Sequence, residues 1–529
     1  MTNILWRPTR KVCVILCLIL ASSTVVAANE AVGALAQYFD LLVTGNLESA
    51  SGLWTKAAIE RSSRFGIEYS DIPLKIDCAS PIVRNLELMR NHLQPPAKQV
   101  TELPGGDFIR LKYSAIVEGK LVEHFYYAHF DGSYYWLTYP QDYYCRDWKV
   151  KESEYFRIHA HPDVEKYLNP AALDEADQFV ERLADSLDLS QSDLKTIREK
   201  KVEYYYCGSD ETVREITGVR TKGTFDLPSN DIISSLFPHY HEVAHLLVNV
   251  KLGRLPLATH PLLREGLAVY YGGRRGNALS ALIGLGAFLH HEKIVEIDSL
   301  LTMSSFDSNA SSDIAYPVAG LFTAYLLDRI GHKKYLEHYR ALSGSLDEVR
   351  ALPDSAVRNE LLSAVGMSSW AALLSDFNTF MQQQTTERGP LLPGRIENVK
   401  PLMEADGFAV SSNNEWLVFE FTANASEPPN GNLLFGHDAR LSEATSVMFE
   451  EQYAGKRPFE GYRFGVRFDA NEAGLYDYAA NHVLAKYILG IMPSDEYFDP
   501  DQNKITIRLK KSLVGDKLPS ENNCKLIPL

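Results

Sequence analysis

Three residues near the middle of the chain have types and a spacing that suit the binding of one metal ion. His241, Glu242 and His245 form an H-E-x-x-H motif, in which two imidazoles are four residues apart. On a helix this spacing puts both rings on one face, where they can bind a single metal ion, and the glutamate between them lies beside that ion. The motif therefore predicts zinc on His241 and His245, with Glu242 as the general base that deprotonates water.

A zinc site of this type needs a third protein ligand, and Glu265 is the candidate. It lies 20 residues after His245 in the run R-E-G-L-A, residues 264–268. Two imidazoles and one carboxylate leave the fourth tetrahedral position open for water. The metzincin class is excluded, because the positions of its glycine and third histidine hold Val248 and Lys251.

Two helices must bring these ligands together. Pro238 stands where the first helix should begin and Gly253 where it should end. The second helix is predicted to begin at Pro261 and to end at the pair Gly272 and Gly273. A loop between the two helices lets the second helix present the carboxylate to the histidines of the first.

The motif and its surroundings resemble the gluzincin metallopeptidases, including the peptidase MA-like group, which is related to the zinc aminopeptidases. The resemblance covers roughly residues 154–380. It implies a thermolysin-like catalytic domain, with a mixed sheet and a helical subdomain, that binds one Zn²⁺ per chain. By the same resemblance His241, His245 and Glu265 are the zinc ligands and Glu242 is the general base. Tyr316 would donate a hydrogen bond to the tetrahedral intermediate.

The chain departs from the aminopeptidase pattern at two points. Arg264 stands where an asparagine usually precedes the ligand glutamate. A clear G-x-M-E-N segment, which grips the free amine of a substrate, is missing, and residues 223–226 (G-T-F-D) are at best a remnant of it. These departures weaken an aminopeptidase function and leave an endopeptidase open.

Other polar residues near the motif have simpler interpretations than metal binding. His239 precedes His241 by two residues, so on a helix it points to a different face, and we expect a solvated or capping side chain. His260 is expected to be a loop histidine, with a contact to substrate as the alternative. Arg264 is expected to face solvent.

The composition is that of a folded globular protein with several domains. The chain has 529 residues, of which 45% are hydrophobic, and a formal net charge of −15. This acidic balance argues against nucleic acid as a partner and does not support binding to an anionic membrane surface. The expected partner is a peptide or protein substrate.

The first 28 residues have the features of an export signal. Arg7, Arg10 and Lys11 precede a mostly apolar run, and Ala27 and Ala28 offer small residues for cleavage. We therefore expect a periplasmic or secreted protein without a stable membrane span after removal of the signal; the alternative is an uncleaved anchor. The apolar stretch 278–289 is interrupted by a serine and two glycines, so it is expected to be a buried helix.

Four cysteines follow the signal: Cys78, Cys145, Cys207 and Cys524. In an exported protein four cysteines permit two disulfide bonds. We predict the pairs Cys78–Cys145 and Cys207–Cys524. The alternative is four unpaired, buried thiols.

The remaining patterns predict a multidomain α+β architecture. Helical and then aromatic, alternating segments favour an N-terminal domain of helices on a curved antiparallel sheet, similar to the nuclear-transport-factor type. A strand pair just before the metal helix would offer an edge to an extended peptide. The predicted divisions are the signal (1–28), the N-terminal domain (29–150), the β-rich and helical parts of the catalytic domain (151–235 and 236–385), a linker (386–395) and a β-sandwich-like C-terminal domain (396–529).

Two other functions stay open. The first is a non-peptidase: a zinc-containing scaffold or assembly factor of the cell envelope, whose flanking domains bind protein partners. A purely structural zinc site does not need Glu242, which argues against this alternative. The second is a chance H-E-x-x-H in an unrelated helical protein.

Overall fold

The computed structural model shows a multidomain, mixed α/β protein, as expected at this level of detail. It describes residues 29–93, 99–310, 314–387, 396–423, 427–441, 461–488 and 497–527. The predicted signal, residues 1–28, lies outside the described residues, and so does the predicted linker from residue 388 onward. The chain divides into two compact units: residues up to 147 together with 226–231, and residues 148–225 together with 232–529.

The first unit packs helices on one face of an antiparallel sheet. Its elements are α1 (29–44), α2 (Leu47–Ser51), α3 (Lys56–Ser63), β1 (Glu68–Tyr69), α4 (Pro81–Arg84), α5 (Leu86–Arg90), β2 (Gln99–Glu102), β3 (Phe108–Val117), β4 (Lys120–Phe130), β5 (Tyr135–Thr138) and α6 (Pro140–Tyr144). The strand order is β2-β3-β4-β5, and the long hairpin β3–β4 pairs Phe108 with His129. Tyr38 of α1 and Tyr126 of β4 belong to the core between the two layers. The antiparallel sheet predicted from the aromatic segments is therefore present.

A carboxyl group is buried in that core. Asp77 accepts hydrogen bonds from the hydroxyls of Tyr38 (2.8 Å) and Tyr126 (3.0 Å). Burial raises the pKa of Asp77 to about 7, although both tyrosine hydrogen bonds lower it. The protonated form of this side chain is therefore favoured by the fold.

The segment 226–231 belongs to the first unit through buried ion pairs. Asp231 is fully buried and accepts from the guanidinium groups of Arg61 and Arg64. Gln141 donates to the same carboxylate at 2.9 Å. These contacts attach the segment 226–231 to the rest of the first unit.

The second unit begins with a mixed five-stranded sheet. Its elements are β6 (Lys149–Glu152), β7 (Phe156–Ala160), α7 (Pro170–Ser186), α8 (Gln191–Lys200), β8 (Val202–Tyr206), α9 (Asp210–Thr217), β9 (Gly223–Asp226) and β10 (Asp231–Ser234). The strand order is β6-β7-β8-β10-β9, with β7, β8 and β10 parallel. The strand pair predicted before the metal helix is β9 and β10, and β9 is the outer strand.

A mainly helical region with three short strands follows this sheet in the sequence. Its elements are α10 (Tyr240–Leu252), β11 (Arg254–Leu255), β12 (Ala258–Thr259), α11 (Pro261–Gly272), α12 (Leu279–His291), α13 (Met303–Ala310), α14 (Ala315–Ala341), β13 (Ser343–Gly344), α15 (Leu346–Ala351), α16 (Asp354–Val365) and α17 (Trp370–Glu387). The predicted start of α11 at Pro261 and the predicted end of α10 at Gly253 are confirmed. The predicted start of α10 at Pro238 is wrong, because His239 has non-helical torsions (φ −109°, ψ 80°) and the helix begins at Tyr240.

The apolar stretch predicted to be a buried helix forms α12, with Leu282, Ile283 and Leu289 buried. Among the described residues, none of the helices combines the length and apolar character needed to cross a membrane. Helix α17 extends to Glu387, so the first two residues of the predicted linker are helical.

The C-terminal part is formed from two antiparallel sheets. Its strands are β14 (Lys400–Ala405), β15 (Phe408–Ser412), β16 (Trp416–Thr422), β17 (Gly431–His437), β18 (Tyr462–Phe468), β19 (Glu472–Asp477), β20 (His482–Ile488), β21 (Phe498–Asp499), β22 (Lys504–Lys510) and β23 (Cys524–Ile527). The sheet orders are β14-β15-β16-β22-β21 and β20-β19-β18-β17-β23. The two sheets share one core, in which Phe421 and Phe468 stack with ring centroids 3.7 Å apart.

None of the four cysteines forms a disulfide bond in this structure, so neither predicted disulfide is present. Cys78, Cys145 and Cys207 are buried and Cys524 is partly buried, so the alternative of four buried thiols without disulfides holds for three of the four. Cys207 follows the central strand β8, where its thiol donates to the Tyr205 carbonyl. Cys524 begins β23, opposite Phe435 of β17. Burial raises the pKa of the Cys524 thiol to about 11, which keeps it protonated at neutral pH.

Candidate metal centre

Helices α10 and α11 bring the three predicted ligands together. One ligand atom each of His241, His245 and Glu265 lies within 4.8 Å of the others. Oε2 of Glu265 is 3.2 Å from Nε2 of His241 and 3.5 Å from Nε2 of His245. The two nitrogens and one carboxylate oxygen thus converge on one point, which is the arrangement that the H-E-x-x-H motif and Glu265 predict.

The ligand side chains are oriented by further hydrogen bonds. Nδ1 of His241 donates to the carbonyl of Gly273 at 2.8 Å, which leaves the lone pair of Nε2 directed at the site. The other oxygen of Glu265 accepts from Arg264, at 2.9 Å from Nε and 2.8 Å from Nη2. The expectation that Arg264 simply faces solvent is therefore wrong, since its guanidinium binds the carboxylate next to it.

The electrostatics keep Glu265 ionised. Burial raises the pKa of this carboxyl, but the charge of Arg264 and the contacts with His245 and His241 outweigh burial and hold the pKa well below its usual range. A carboxylate, not a carboxylic acid, therefore faces the two histidines. That is the form in which glutamate binds a metal.

Two glycines of α11 allow this helix to approach its neighbours closely. A Cβ atom on Gly272 would lie 2.4 Å from the backbone nitrogen of His241. On Gly266, next to Glu265, it would lie 2.3 Å from Oγ1 of Thr323 and 2.7 Å from the carbonyl oxygen of Ala319. The glycine of R-E-G-L-A therefore permits the contact of α11 with α14, and Gly272 permits the contact of α11 with α10.

Glu242 lies beside the three ligands and is held by the outer strand of the sheet. Its Oε2 accepts from the backbone N–H of Phe225 in β9 at 2.8 Å, and the side chain is buried. Burial raises its pKa, but His239, His241 and His245 outweigh burial, and the pKa is lowered overall. Glu242 is therefore an oriented carboxylate, which is the form that a general base needs.

His239 belongs to the site, contrary to the prediction of a solvated or capping side chain. It is buried, its side chain makes no capping hydrogen bond, and its ring centroid lies 6.2 Å from that of His241, with 30° between the ring planes. The Ser234 hydroxyl donates to the Lys222 carbonyl (2.8 Å), so Nδ1 of His239 donates to Oγ of Ser234 (2.9 Å).

The other ring nitrogen of His239 faces the general base. Nε2 is 3.9 Å from Oε1 of Glu242 and has no hydrogen-bond partner among the described residues. A Cβ atom on Gly223 would lie 2.4 Å from Nδ1, so β9 covers this ring only because residue 223 is glycine. Burial lowers the pKa of His239 to about 3, so the ring is neutral. The prediction that His239 points away from the site assumed helical periodicity, which does not apply to this residue because α10 begins after it.

His260 positions the helix that carries Glu265. It is fully buried at the N-terminus of α11, where Nδ1 accepts from the N–H of Leu262 (3.3 Å) and Nε2 donates to the carbonyl of Leu301 (3.2 Å). Burial lowers its pKa to about 4, which is consistent with this neutral form. The sequence predicted that His260 lies in a loop but did not predict that it caps the N-terminus of α11.

Tyr316 lies at the start of α14, beside the ligand cluster. Its ring centroid is 6.2 Å from that of His241, and the guanidinium carbon of Arg274 lies 3.7 Å from the centroid of the tyrosine ring. The structure therefore places Tyr316 beside His241, one of the predicted ligands, with the guanidinium of Arg274 over its ring.

The donor set fits zinc. The Nε2 atoms of two imidazoles and one carboxylate oxygen form the His₂Glu combination of catalytic zinc sites. No protein-family model matches this chain, and no curated protein matches it. The site geometry therefore carries the functional inference.

Proposed function

We propose that this protein is an exported, zinc-dependent metallopeptidase of the gluzincin type. The observation that carries the proposal is the position of Glu242, an ionised and oriented carboxylate beside the convergent atoms of His241, His245 and Glu265. A structural zinc site has no use for an oriented carboxylate that is not a ligand.

The chemistry divides between the metal and the side chains. Zinc, when bound by His241, His245 and Glu265, supplies a Lewis acid that lowers the pKa of water toward about 7. Glu242 accepts a proton from the attacking water while the oxygen of that water forms a bond to the carbonyl carbon of the peptide. Glu242 then passes that proton to the leaving amine as the C–N bond breaks. The hydroxyl of Tyr316 donates a hydrogen bond to the oxygen of the tetrahedral intermediate.

An extended peptide is the proposed substrate. Strand β9 is the outer strand of its sheet, and its residue Phe225 contacts Glu242 directly. Outer strands pair with extended segments through backbone hydrogen bonds, which do not depend on a free terminal amine. The missing amine-binding segment and the edge strand β9 together support endopeptidase activity.

The domains that flank the catalytic domain are proposed to bind protein partners.

The substitution Glu242→Gln tests the proposal. The variant should bind one zinc per chain, like the wild type, while cleavage of a broad peptide library falls by roughly 10²-fold or more. The matched control is Glu337→Gln, on an exposed position of α14, which should change neither quantity. Metal analysis and library digestion by mass spectrometry supply the two measurements.

Other outcomes of the same experiment would reject the proposal. Full activity in Glu242→Gln would remove the general base from its role. Stoichiometric zinc in a wild-type protein that cleaves no peptide would favour the scaffold. A purified protein without zinc would point to a chance motif.

A further inference from the structure

The proposed reaction leaves one buried polar side chain beside Glu242 without a role. This is His239, which is 4% exposed and directly precedes α10, outside the helical face that carries His241 and His245. Its Nε2 has no hydrogen-bond partner among the described residues. A buried nitrogen in this state costs free energy unless a bound molecule makes a hydrogen bond to it.

The other ring nitrogen determines which hydrogen bond Nε2 can make. The Ser234 hydroxyl donates to the Lys222 carbonyl at 2.8 Å and accepts from the N–H of Leu236 at 3.0 Å. Its contact with Nδ1 of His239, at 2.9 Å, therefore requires a hydrogen on Nδ1. In the neutral ring Nε2 then has a lone pair and acts as an acceptor.

Strand β9 holds the ring of His239 and the carboxylate of Glu242 in place. Gly223 lies against the ring, since a Cβ atom on this glycine would be 2.4 Å from Nδ1. The N–H of Phe225, in the same strand, donates to Oε2 of Glu242 at 2.8 Å. The two acceptors, Nε2 of His239 and Oε1 of Glu242, thus have fixed positions relative to each other.

The spacing of these two acceptors suits one small donor. Nε2 of His239 is 3.9 Å from Oε1 of Glu242, which is too far for a direct hydrogen bond. An oxygen atom about 2.8 Å from both acceptors would subtend an angle of roughly 90° between them. This is close to the angle between the two hydrogens of water, so one water molecule can donate to both acceptors.

We propose that His239 is a second acceptor for the attacking water. Nε2 accepts a hydrogen bond from one hydrogen of the water, while Glu242 removes the other hydrogen as a proton. With both hydrogens held, a lone pair of the water oxygen is directed at the carbonyl carbon of the peptide. His239 does not change its own protonation, because the proton that Glu242 removes passes to the leaving amine. This role rests on the proposed peptidase function.

Two substitutions separate the hydrogen bond of His239 from its packing. In His239→Asn the amide nitrogen can replace Nδ1 as the donor to Ser234, but no acceptor replaces Nε2. In His239→Gln the longer side chain can place its amide oxygen near the position of Nε2. We expect His239→Asn to lower kcat by about tenfold, with little change in KM or zinc affinity, and His239→Gln to recover kcat to within about threefold of the wild type. The control is His291→Asn, at the exposed end of α12, which should change none of these quantities.

A second measurement does not depend on turnover or on the folding of a variant. Nuclear magnetic resonance of the full-length wild type with isotope-labelled histidine identifies which ring nitrogen carries the hydrogen. The signals of His239 are those that disappear in His239→Gln. We expect the hydrogen on Nδ1 and a lone pair on Nε2.

The outcomes distinguish this role from the proposed function. A hydrogen on Nε2 would overturn the role of His239 alone. So would an unchanged kcat in His239→Asn, or an equal loss of kcat in His239→Asn and His239→Gln, in a protein that Glu242→Gln inactivates. A wild type that cleaves no peptide would reject both the proposed function and the role of His239.

Discussion

The carboxylate of Glu265 is shared between two environments: one oxygen faces the two histidines and the other binds the guanidinium of Arg264. The contact distances are 3.2 Å to Nε2 of His241 and 2.8 Å to Nη2 of Arg264. Because the arginine directly precedes the glutamate, one turn of α11 provides both the proposed ligand and the group that orients it. Residues that orient metal ligands typically contribute 10- to 100-fold to metal affinity.

Replacement of Arg264 should therefore weaken zinc binding. We expect Arg264→Gln to lower zinc affinity by roughly 10- to 100-fold, since Glu265 loses both the positive charge and the two hydrogen bonds that orient it. Competition with a chromophoric chelator measures the affinity. Arg350→Gln, on the surface of α15, is the control. Equal zinc affinity in both variants would show that Arg264 does not orient the ligand.

The close contact of the two ligand helices should not tolerate a methyl group. We expect Gly272→Ala to lower the free energy of unfolding by about 1–3 kcal/mol, because the added Cβ would lie 2.4 Å from backbone atoms of α10. Zinc affinity should fall as well, since α10 and α11 carry all three ligands. Gly33→Ala is the control: it lies on the exposed side of α1, with nothing within 4 Å of the added Cβ. Urea unfolding measures the free energy of unfolding of both variants. An unchanged free energy of unfolding in Gly272→Ala would contradict the prediction that the two helices are too close for a methyl group.

The contribution of Asp77 to the stability of the folded state should fall as the pH rises from about 4 to above 7. Burial raises the pKa of Asp77 from its ordinary 3.8 to about 7, so the folded state holds a proton that the unfolded state releases near pH 4. The protonated group contributes its full stability below pH 4, and this contribution is lost as the pH rises through 7. Asp77→Asn stays neutral, so it should be more stable than the wild type at pH 8, by roughly 2–4 kcal/mol, but not at pH 4.

Thermal unfolding of the full-length chain at pH 4, 6 and 8 measures this difference. Asp40→Asn, an exposed position on α1, should follow the wild type at every pH. If Asp77→Asn keeps the pH dependence of the wild type, another group is responsible.

Tyr316 should act on turnover and not on metal binding. We expect Tyr316→Phe to lower kcat by about 10²-fold, as the loss of one hydrogen-bond donor to an oxyanion typically does, with little change in zinc affinity or KM. Steady-state kinetics on a peptide cleaved by the wild type supplies the measurement. Tyr167→Phe, far along the chain in a short helical turn, is the control. An unchanged kcat in Tyr316→Phe would leave its ring as a packing partner of His241 only.

The local sequence was sufficient to predict the elements that carry the site. The four-residue spacing of His241 and His245 predicts that both rings lie on one face of a helix. Pro261 and Gly253 predict the start of α11 and the end of α10, because proline and glycine have restricted or unusual backbone torsions. Such patterns depend on neighbours within a few residues.

The tertiary structure alone decided which groups surround the ligands. The N–H of Phe225 reaches Glu242 from 17 residues away, and the Gly273 carbonyl reaches His241 from 32 residues away. Gly223 of β9 lies against the ring of His239, at a distance that a Cβ atom would not allow. These contacts depend on how a sheet edge and two helices pack, and burial then sets the charge states. Local residue patterns therefore predicted the three convergent side chains and the helices that carry them, whereas long-range packing decided their orientation and their protonation.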